Sequence, residues 1–381
     1  MRILHCCLSS FYIDDYNYQE NVLPRLNKIQ GHEVLILAST ETFINNNELG
    51  YIKPLSYVNK DGINVIRVPY RNYMPHAIMR KFRAYKDTLE FINEFKPDII
   101  LFHGTAAYDI TKVAKYKKEN PEVKLFVDSH ADFNNSARSF LSKEILHRRL
   151  YKRFIHQALP YIDKVLCISM ESYEFMKKLY EIPDHKLELY PLGGTVFKGD
   201  DYSQKRRRLR TEMQLDDSDI MLVHSGKMSK EKRTAELLRA FKKVASNRFR
   251  LVLLGSIPEN MKAELLQLVE NDLRVDFLGW KSPEELQEYL CAADIYLQPG
   301  SQSATMQNAI CCGCPVMLYP HKSHELYLKG NGFYIKTEKD MAEVFNKINN
   351  SPDILKYMSE ASYEIAYDLL DYRKLASRLF E

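Results

Sequence analysis

The sequence has no uninterrupted apolar run of about 18 residues, the length that a membrane-spanning helix needs. Its first residues, Met-Arg-Ile-Leu-His, also lack the long apolar stretch of a signal peptide. We therefore expect a cytoplasmic protein. Any contact with a membrane would then be peripheral, on the inner face of the cell membrane.

Metal-site and nucleic-acid signals are also missing. The seven cysteines form no facing pair of Cys-x-x-Cys motifs at zinc spacing, so we expect free, buried thiols. No Asp-x-Asp motif is arranged for a divalent cation, and no metal is expected. The net charge of +4 is too small to indicate a nucleic-acid-binding surface.

What the sequence does contain is a repeated alternation of short apolar runs and longer amphipathic stretches, such as a helix expected over Met79–Phe95. Strands separated by helices predict an α/β fold with parallel sheets. A chain of 381 residues is too long for one ordinary core. We expect two doubly wound, Rossmann-like domains facing a central cleft. The expected divisions are residues 1–195, residues 196–360, and a terminal helix in 361–381 that packs back on the first domain.

One candidate binding segment is Ser225–Lys232, which follows an apolar strand and leads into a helix. Gly226 lets the backbone approach a ligand closely. Lys227 and Lys232 can both point at one diphosphate, although lysines in such a run are also often solvated surface charges.

A second candidate segment is Gln298–Pro315, in which a loop of small and polar residues precedes a short helix. Amides exposed at a helix start bind phosphate, and Ser303 and Thr305 are also candidates to cap that helix. An ordinary capped loop is the alternative. The loop and first-turn residues expected to contact a ligand are Gln302, Ser303, Ala304 and Thr305.

Several further motifs occur in the order and spacing of one known family. The sequence resembles a GT-B glycosyltransferase of retaining family 4, the glycosyl transferases group 1, over nearly its whole length. The motifs that carry the resemblance are Gly31-His32-Glu33-Val34, Lys96-Pro97-Asp98-Ile99-Ile100, Asp163–Ser169, Lys186–Gly194 and Cys312–Val316.

The resemblance implies roles for individual residues. Lys227 stands where the family has a donor-phosphate arginine, and Lys232 matches its phosphate lysine. His130 matches a histidine that reaches the donor sugar, against the alternative of a strand-end histidine without a role. With Lys227 and Lys232, it forms the expected catalytic set.

The acidic pair of the family is replaced in this sequence. Asn308 stands where the glutamate that binds the ribose hydroxyls belongs, and its amide oxygen can still accept such bonds. Gln302 is the nearest polar substitute for the other glutamate. Gly279, before Trp280 and Lys281, is the candidate contact for the nucleotide base.

The implied activity is that of a hexosyltransferase. It would move a sugar, with retention, from a nucleotide-sugar donor, expected to be a UDP-sugar, to a glycan or lipid-linked acceptor. The setting would be bacterial surface polysaccharide or glycoconjugate biosynthesis. The first domain would bind the acceptor and the second the donor. No cofactor or metal is expected.

Two other functions stay open at this stage. A non-catalytic GT-B subunit that binds a sugar nucleotide or a partner protein would explain the replaced acidic pair. A sugar-nucleotide epimerase would need carboxylate acid and base residues, which we cannot place.

A basic amphipathic stretch, His147–Phe154, lies in the first domain, with Arg80, Lys81 and Arg83 on another helix. Such residues fit peripheral contact with an anionic membrane, or simply a solvated helix face.

Overall fold

A computed structural model describes residues 1–44 and 48–380. The chain divides into two compact units. Unit 1 comprises Met1–Leu192 and Tyr372–Glu381, and unit 2 comprises Gly193–Asp371. The sequence placed the first boundary slightly later and the start of the returning segment earlier. In the structure Gly194 forms a β-bridge to Asp371 and donates its N–H to Leu370 O at 2.8 Å, so both connecting segments pair within unit 2.

The strands of unit 1 are largely short apolar runs. They are β1 (Arg2–Cys7), β2 (Glu33–Ser39), β3 (Glu41–Ile44), β4 (Glu48–Tyr51), β5 (Leu55–Val58), β6 (Asn64–Val68), β7 (Ile99–Phe102), β8 (Lys124–Ser129), β9 (Lys164–Cys167) and β10 (Leu187–Leu189). Eight form one sheet in the order β10-β9-β8-β7-β1-β2-β6-β5, in which only β5 runs antiparallel to its neighbour. Strands such as β1 and β7 are buried on both faces because helices cover both sides of the sheet.

The strands of unit 2 form a fully parallel sheet. They are β11 (Ile220–Lys227), β12 (Phe249–Ser256), β13 (Val275–Phe277), β14 (Ile295–Gln298), β15 (Val316–Leu318) and β16 (Gly332–Tyr334). Their order is β13-β12-β11-β14-β15-β16, with strand order reversing between β11 and β14. Open parallel sheets bind ligands beyond the carboxyl ends of their strands, beside such a reversal.

The helices that cover the sheet of unit 1 are α1 (Gln19–Ile29), α2 (His76–Phe82), α3 (Thr88–Phe95), α4 (Ile110–Glu119), α5 (Lys152–Ala158) and α6 (Met170–Lys178). A π-helical stretch, Leu141–Tyr151, leads directly into α5. Unit 2 contains α7 (Asp200–Glu212), α8 (Thr234–Lys242), α9 (Glu259–Val269), α10 (Pro283–Ala292), α11 (Thr305–Cys311), α12 (Glu338–Asn350) and α13 (Ile354–Ile365), followed by the π-helical Ala366–Leu370. The last helix, α14 (Tyr372–Ser377), belongs to unit 1.

The α/β prediction with two Rossmann-like units is confirmed, but one expected helix is wrong. The segment 79–95 is broken between α2 and α3, where Arg83 and Asp87 adopt left-handed backbone conformations with φ of 51° and 54°. Between them, buried Tyr85 donates its N–H to the Asp109 carboxylate at 3.2 Å and its hydroxyl to Leu8 O at 2.9 Å. These tertiary hydrogen bonds stabilise the break between α2 and α3, although the sequence pattern favours a continuous helix.

The expectation of free, buried thiols agrees with the structure. All seven cysteines are buried and free. Among residues 1–44 and 48–380, no helix is both long and apolar enough to cross a bilayer.

The returning helix α14 packs into unit 1 through a small apolar cluster. Leu375 and Leu379 are buried against Leu23 of α1, with Leu101 and Tyr190 in the same cluster. The Tyr190 hydroxyl donates to Leu375 O at 2.5 Å. The core of unit 1 is therefore completed by residues from the far end of the chain.

We expect Leu375→Ala to lower the free energy for undocking α14 by about 2–5 kcal/mol, because it removes a fully buried leucine and leaves a cavity. Amide hydrogen exchange across residues 372–380 measures this as faster exchange. Tyr357→Ala on α13, whose side chain is 79% exposed, is the control and should leave those amides unchanged. Unchanged protection in Leu375→Ala would contradict the packing described.

Candidate functional site

Three neighbouring strands of unit 2 end beside glycines with positive φ. They are Gly226 in β11 (118°), Gly255 in β12 (133°) and Gly279 just after β13 (70°). Gly226 and Gly255 are register partners, and a Cβ on Gly255 would lie 2.0 Å from Gly226 O. Gly255 also donates its N–H to Gly279 O at 2.7 Å. Gly255 is buried against Gly226, whereas Gly226 and Gly279 are partly exposed and leave the backbone at the carboxyl edge of the sheet accessible to a ligand.

Lys232 lies directly over this backbone. It ends a 3-10 turn, Lys230–Lys232, and its side chain is buried. The position that a Cβ on Gly226 would take lies 3.6 Å from Lys232 Nζ. A side chain on residue 226 would thus crowd the ammonium group.

The loop between β14 and α11 closes against the same turn. Ser301 donates its N–H to Glu231 O at 2.8 Å, and Lys232 Nζ donates to Ser301 O at 3.3 Å. Gly300 fits only because it has no side chain, since its Cβ would lie 2.1 Å from Glu231 O. Both segments that the sequence singled out therefore meet at Lys232.

The Lys232 ammonium has no carboxylate within ion-pair distance in the described part of the chain. Burial alone lowers the pKa of Lys232 to about 8. Desolvation without a counter-ion disfavours the charged form, and an anion placed beside the ammonium would reverse that effect. The arrangement suits an anionic ligand such as a phosphate.

The other residues expected to bind a ligand are distributed around this turn. Lys227 is the last residue of β11 and is exposed. Ser303 Oγ accepts the Thr305 N–H at 3.3 Å, but the N-cap of α11 is Ala304, which has no side-chain capping bond, so neither Ser303 nor Thr305 caps this helix as expected. Ala304 and Gln302 are exposed, and the Gln302 amide donates to the Ser323 hydroxyl.

Asn308 occupies a more enclosed position on α11. The position of a Cβ on Gly194 would lie 2.8 Å from Asn308 Oδ1, so this amide borders the segment that enters unit 2. The structure therefore places Asn308 on the same short helix as Thr305, with its amide oxygen facing the backbone of Gly194.

Sequence reasoning missed the residues that support the turn. His224 of β11 bonds through Nδ1 to Leu297 O at 2.8 Å and through Nε2 to the Thr234 hydroxyl at 2.9 Å. Burial, aided by the nearby charge of Lys232, lowers its pKa to about 4, so this imidazole is neutral. Arg233 donates to Pro299 O at 3.3 Å and lies over the Tyr319 ring. A strand-to-glycine signal at Leu254-Gly255 could have revealed Gly255.

His130 belongs to unit 1, one residue beyond β8. Its side chain is 35% exposed, and Nε2, shielded from solvent, lies 3.7 Å from Asp128 Oδ1 without a hydrogen-bond partner among the described residues. Burial opposes protonation of His130, but the Asp128 carboxylate outweighs it and raises the pKa to about 9. His130 is therefore an imidazolium at neutral pH.

Within the described ranges, no three His, Cys, Asp or Glu side chains are grouped so as to hold a metal ion.

Two Rossmann-like units, one with a buried cation at the carboxyl edge of its sheet, define a GT-B class protein. Comparison with known families agrees. "Glycosyltransferase Family 4" matches residues 17–193, and "Glycosyl transferases group 1" matches residues 205–365. The chain belongs to the group 1 glycosyltransferases of family 4.

Individual relatives are distant. The chain is 24% identical over 165 residues to an alpha-galactosylglucosyldiacylglycerol synthase of Streptococcus pneumoniae. That match covers 42% of this chain and 44% of the relative, so it spans less than half of the relative's length.

Solved structures show the same fold at low identity. HepE of Anabaena in complex with UDP superposes with a TM-score of 0.67 at 14% identity, over 100% of this chain and 98% of that one. The HepE complex with UDP-glucose gives 0.63 at 16% identity over the same shares.

We expect Lys232→Met to stabilise unit 2 near neutral pH, by up to about 3 kcal/mol. The folded-state pKa of about 8 lies below the ordinary lysine pKa of 10.5, so the unfolded chain binds more protons between these two pH values. Lys232 therefore costs stability at neutral pH, and the stability advantage of Lys232→Met over the unmodified protein should shrink as pH increases from about 8 to about 10.5.

Calorimetric melting across this pH range measures both effects. Lys227→Met is the matched control, because Lys227 is exposed and its replacement should change stability little. A destabilised Lys232→Met protein would show that the ammonium is already neutralised by a partner.

Proposed function

We propose that this chain is a hexosyltransferase that moves a sugar from a UDP-sugar to a glycan or lipid-linked acceptor, with retention of anomeric configuration. Such a reaction would serve surface polysaccharide or glycolipid synthesis. The observation that carries the proposal is the buried Lys232 ammonium, which has no counter-ion among the described residues and lies over the backbone of Gly226.

A nucleotide diphosphate supplies the charge that this lysine lacks. In the transition state the bond from the sugar to the β-phosphate oxygen breaks and negative charge grows on the diphosphate. A preorganised cation stabilises that charge more strongly than it stabilises the ground state. Lys227, the last residue of β11, would add a second positive charge. A lysine supplies this as a point charge, without the paired donors of an arginine.

The other proposed contacts with the donor involve residues at the carboxyl edge of the unit 2 sheet and on α11. The open backbone at Gly226 and Gly279 would accept the nucleotide, with Gly279 beside the base. Ser303, Ala304 and Thr305 would approach the phosphates, Asn308 the ribose, and Gln302 the donor sugar. UDP and UDP-glucose in the HepE complexes support this choice of donor.

His130 would act on the sugar side of the donor. Its imidazolium can donate a hydrogen bond to a sugar hydroxyl, because Asp128 keeps it protonated at neutral pH. The diacylglycerol-linked product named for the Streptococcus relative supports a lipid-linked acceptor.

We expect Lys232→Met to lower kcat/KM for the best UDP-sugar at least about tenfold, a rise of about 1.4 kcal/mol in the barrier. The assay follows UDP release over a panel of donors and acceptors, and NMR of the product gives its anomeric configuration. Lys262→Met on α9 replaces an exposed lysine of the same unit and is the control.

Wild-type rates in Lys232→Met would contradict the proposed site. Calorimetric binding of UDP without turnover over the whole panel would instead indicate a non-catalytic subunit.

We further propose that unit 1 contacts an anionic membrane. Helix α2 and the π-helical stretch are adjacent, since the Tyr151 hydroxyl donates to Lys81 O at 2.9 Å. Phe140 and Leu141 are 80% and 62% exposed, and Ile78 is exposed on α2. Exposed basic residues accompany them, namely Arg80, Lys81, Arg148 and Arg149. Exposed apolar side chains beside basic ones are the pattern of an interfacial helix.

We expect the double variant Phe140→Ser, Leu141→Ser to reduce binding to phosphatidylglycerol vesicles by about tenfold or more, since each apolar side chain contributes on the order of 1 kcal/mol on insertion. Flotation at low salt measures the bound fraction. Leu273→Ser, which replaces an 88% exposed leucine of unit 2, is the control. Absence of binding by the unmodified protein would remove this proposal.

A further inference from the structure

A row of polar side chains crosses the interior of unit 1 beneath His130. Its members are Asn27 of α1, His5 of β1, His103 at the end of β7 and Asp128 of β8, each no more than 1% exposed. His5 Nε2 lies 3.0 Å from Asn27 Oδ1, His5 Nδ1 lies 3.1 Å from His103 Nε2, and His103 Nδ1 lies 2.5 Å from Asp128 Oδ2. The planes of the two rings are nearly parallel, at 16° to each other, with centroids 5.4 Å apart.

The backbone carbonyl of Ala376, on α14, sets the direction of these hydrogen bonds. Asn27 Nδ2 donates to Ala376 O and to Gln30 Oε1, each at 3.4 Å. A carbonyl oxygen can only accept, so the Asn27 amide nitrogen must face it and Asn27 Oδ1 must face His5. His5 therefore carries its proton on Nε2.

This proton position decides the state of the next ring. Burial lowers the pKa of His5 to about 3, so His5 is neutral, and with its proton on Nε2 its Nδ1 is an acceptor. His103 must then donate through Nε2 to His5, and also through Nδ1 to the Asp128 carboxylate. A histidine that donates through both nitrogens is an imidazolium.

Asp128 thus lies between two histidines. Oδ2 accepts from His103, while Oδ1 accepts the Gly104 N–H at 2.7 Å and lies 3.7 Å from His130 Nε2. These contacts hold the pKa of Asp128 well below its usual range, against the effect of burial. His103 therefore compensates part of the negative charge of the Asp128 carboxylate, and only the remaining part acts on His130.

We propose that His103 is a positioning residue, held as an imidazolium by the acceptor chain that begins at the Ala376 carbonyl, and that its charge limits how tightly Asp128 retains the proton of His130. Its catalytic significance rests on the role proposed above for His130. An imidazolium at residue 130 that shares its carboxylate can release a proton more readily than one paired with a lone aspartate.

Other ionisable groups face this row from neighbouring elements. Glu20 of α1 favours the charged form of His130, in the same sense as Asp128. Burial raises the pKa of Cys7 in β1, of Cys167 in β9 and of Tyr190 after β10, so these three groups stay neutral. Among the groups named here, Asp128 and Glu20 favour the charged form of His130, and only His103 disfavours it.

Nitrogen NMR of the full chain labelled at histidine tests the proposal directly. We expect both ring nitrogens of His103 to carry protons at neutral pH in the unmodified protein. In Asn27→Leu the acceptor for His5 is gone, so His5 can shift its proton to Nδ1 and donate to His103. His103 should then lose the proton on Nε2, and the titration midpoint of His130 should rise by about one unit.

His103→Gln is the second variant, because its amide can still donate to Asp128 but carries no charge. The His130 midpoint should again rise by about one unit, and the alkaline limb of the transfer rate should move with it. A purely structural role for His103 would leave that midpoint unchanged and would overturn the proposal.

A single protonated nitrogen on His103 in the unmodified protein would overturn it as well, and needs no variant. These resonances do not depend on turnover. Absence of glycosyl transfer with every donor would therefore refute the proposed function while the protonation of His103 is still read separately.

Discussion

Lys232 is the constraint around which the edge of the second sheet is arranged. Its ammonium is held away from water, and the surrounding chain offers it a carbonyl oxygen instead of a carboxylate. A side chain on Gly226 would pack tightly against the Lys232 side chain, and one on Gly300 would clash with the backbone of Glu231 and Lys232. Holding an uncompensated charge costs stability, and that cost is recovered only when an anion binds.

The two units keep a buried cation in opposite ways. In unit 1 the charge of His103 is matched by Asp128 and fixed by a chain of neutral acceptors. In unit 2 the charge of Lys232 would be compensated only by a bound anionic ligand. The first arrangement fixes a protonation state, and the second leaves a positive charge open to an anionic ligand.

The sequence predicted the parts of the fold that depend on local pattern. The apolar runs predicted most of the strands, and the segments Ser225–Lys232 and Gln298–Pro315 were recognised because glycine, lysine and small residues stand between a strand and a helix. The broken helix at Tyr85 and the supporting roles of His224 and Gly255 were missed. Each depends on partners distant in the chain, as His5 and His103 do, and a single polar residue inside an apolar run gives no sign of which partner it meets.

The return of α14 to unit 1 imposes an order on synthesis. Leu375 and Ala376 leave the ribosome only after all of unit 2 has been made, so the first unit must wait with an unfinished core while the second, which is continuous in sequence, can fold. Until α14 arrives, the Leu23 side of the first unit lacks its cover, and a nascent chain stalled before residue 372 would expose it to chaperones.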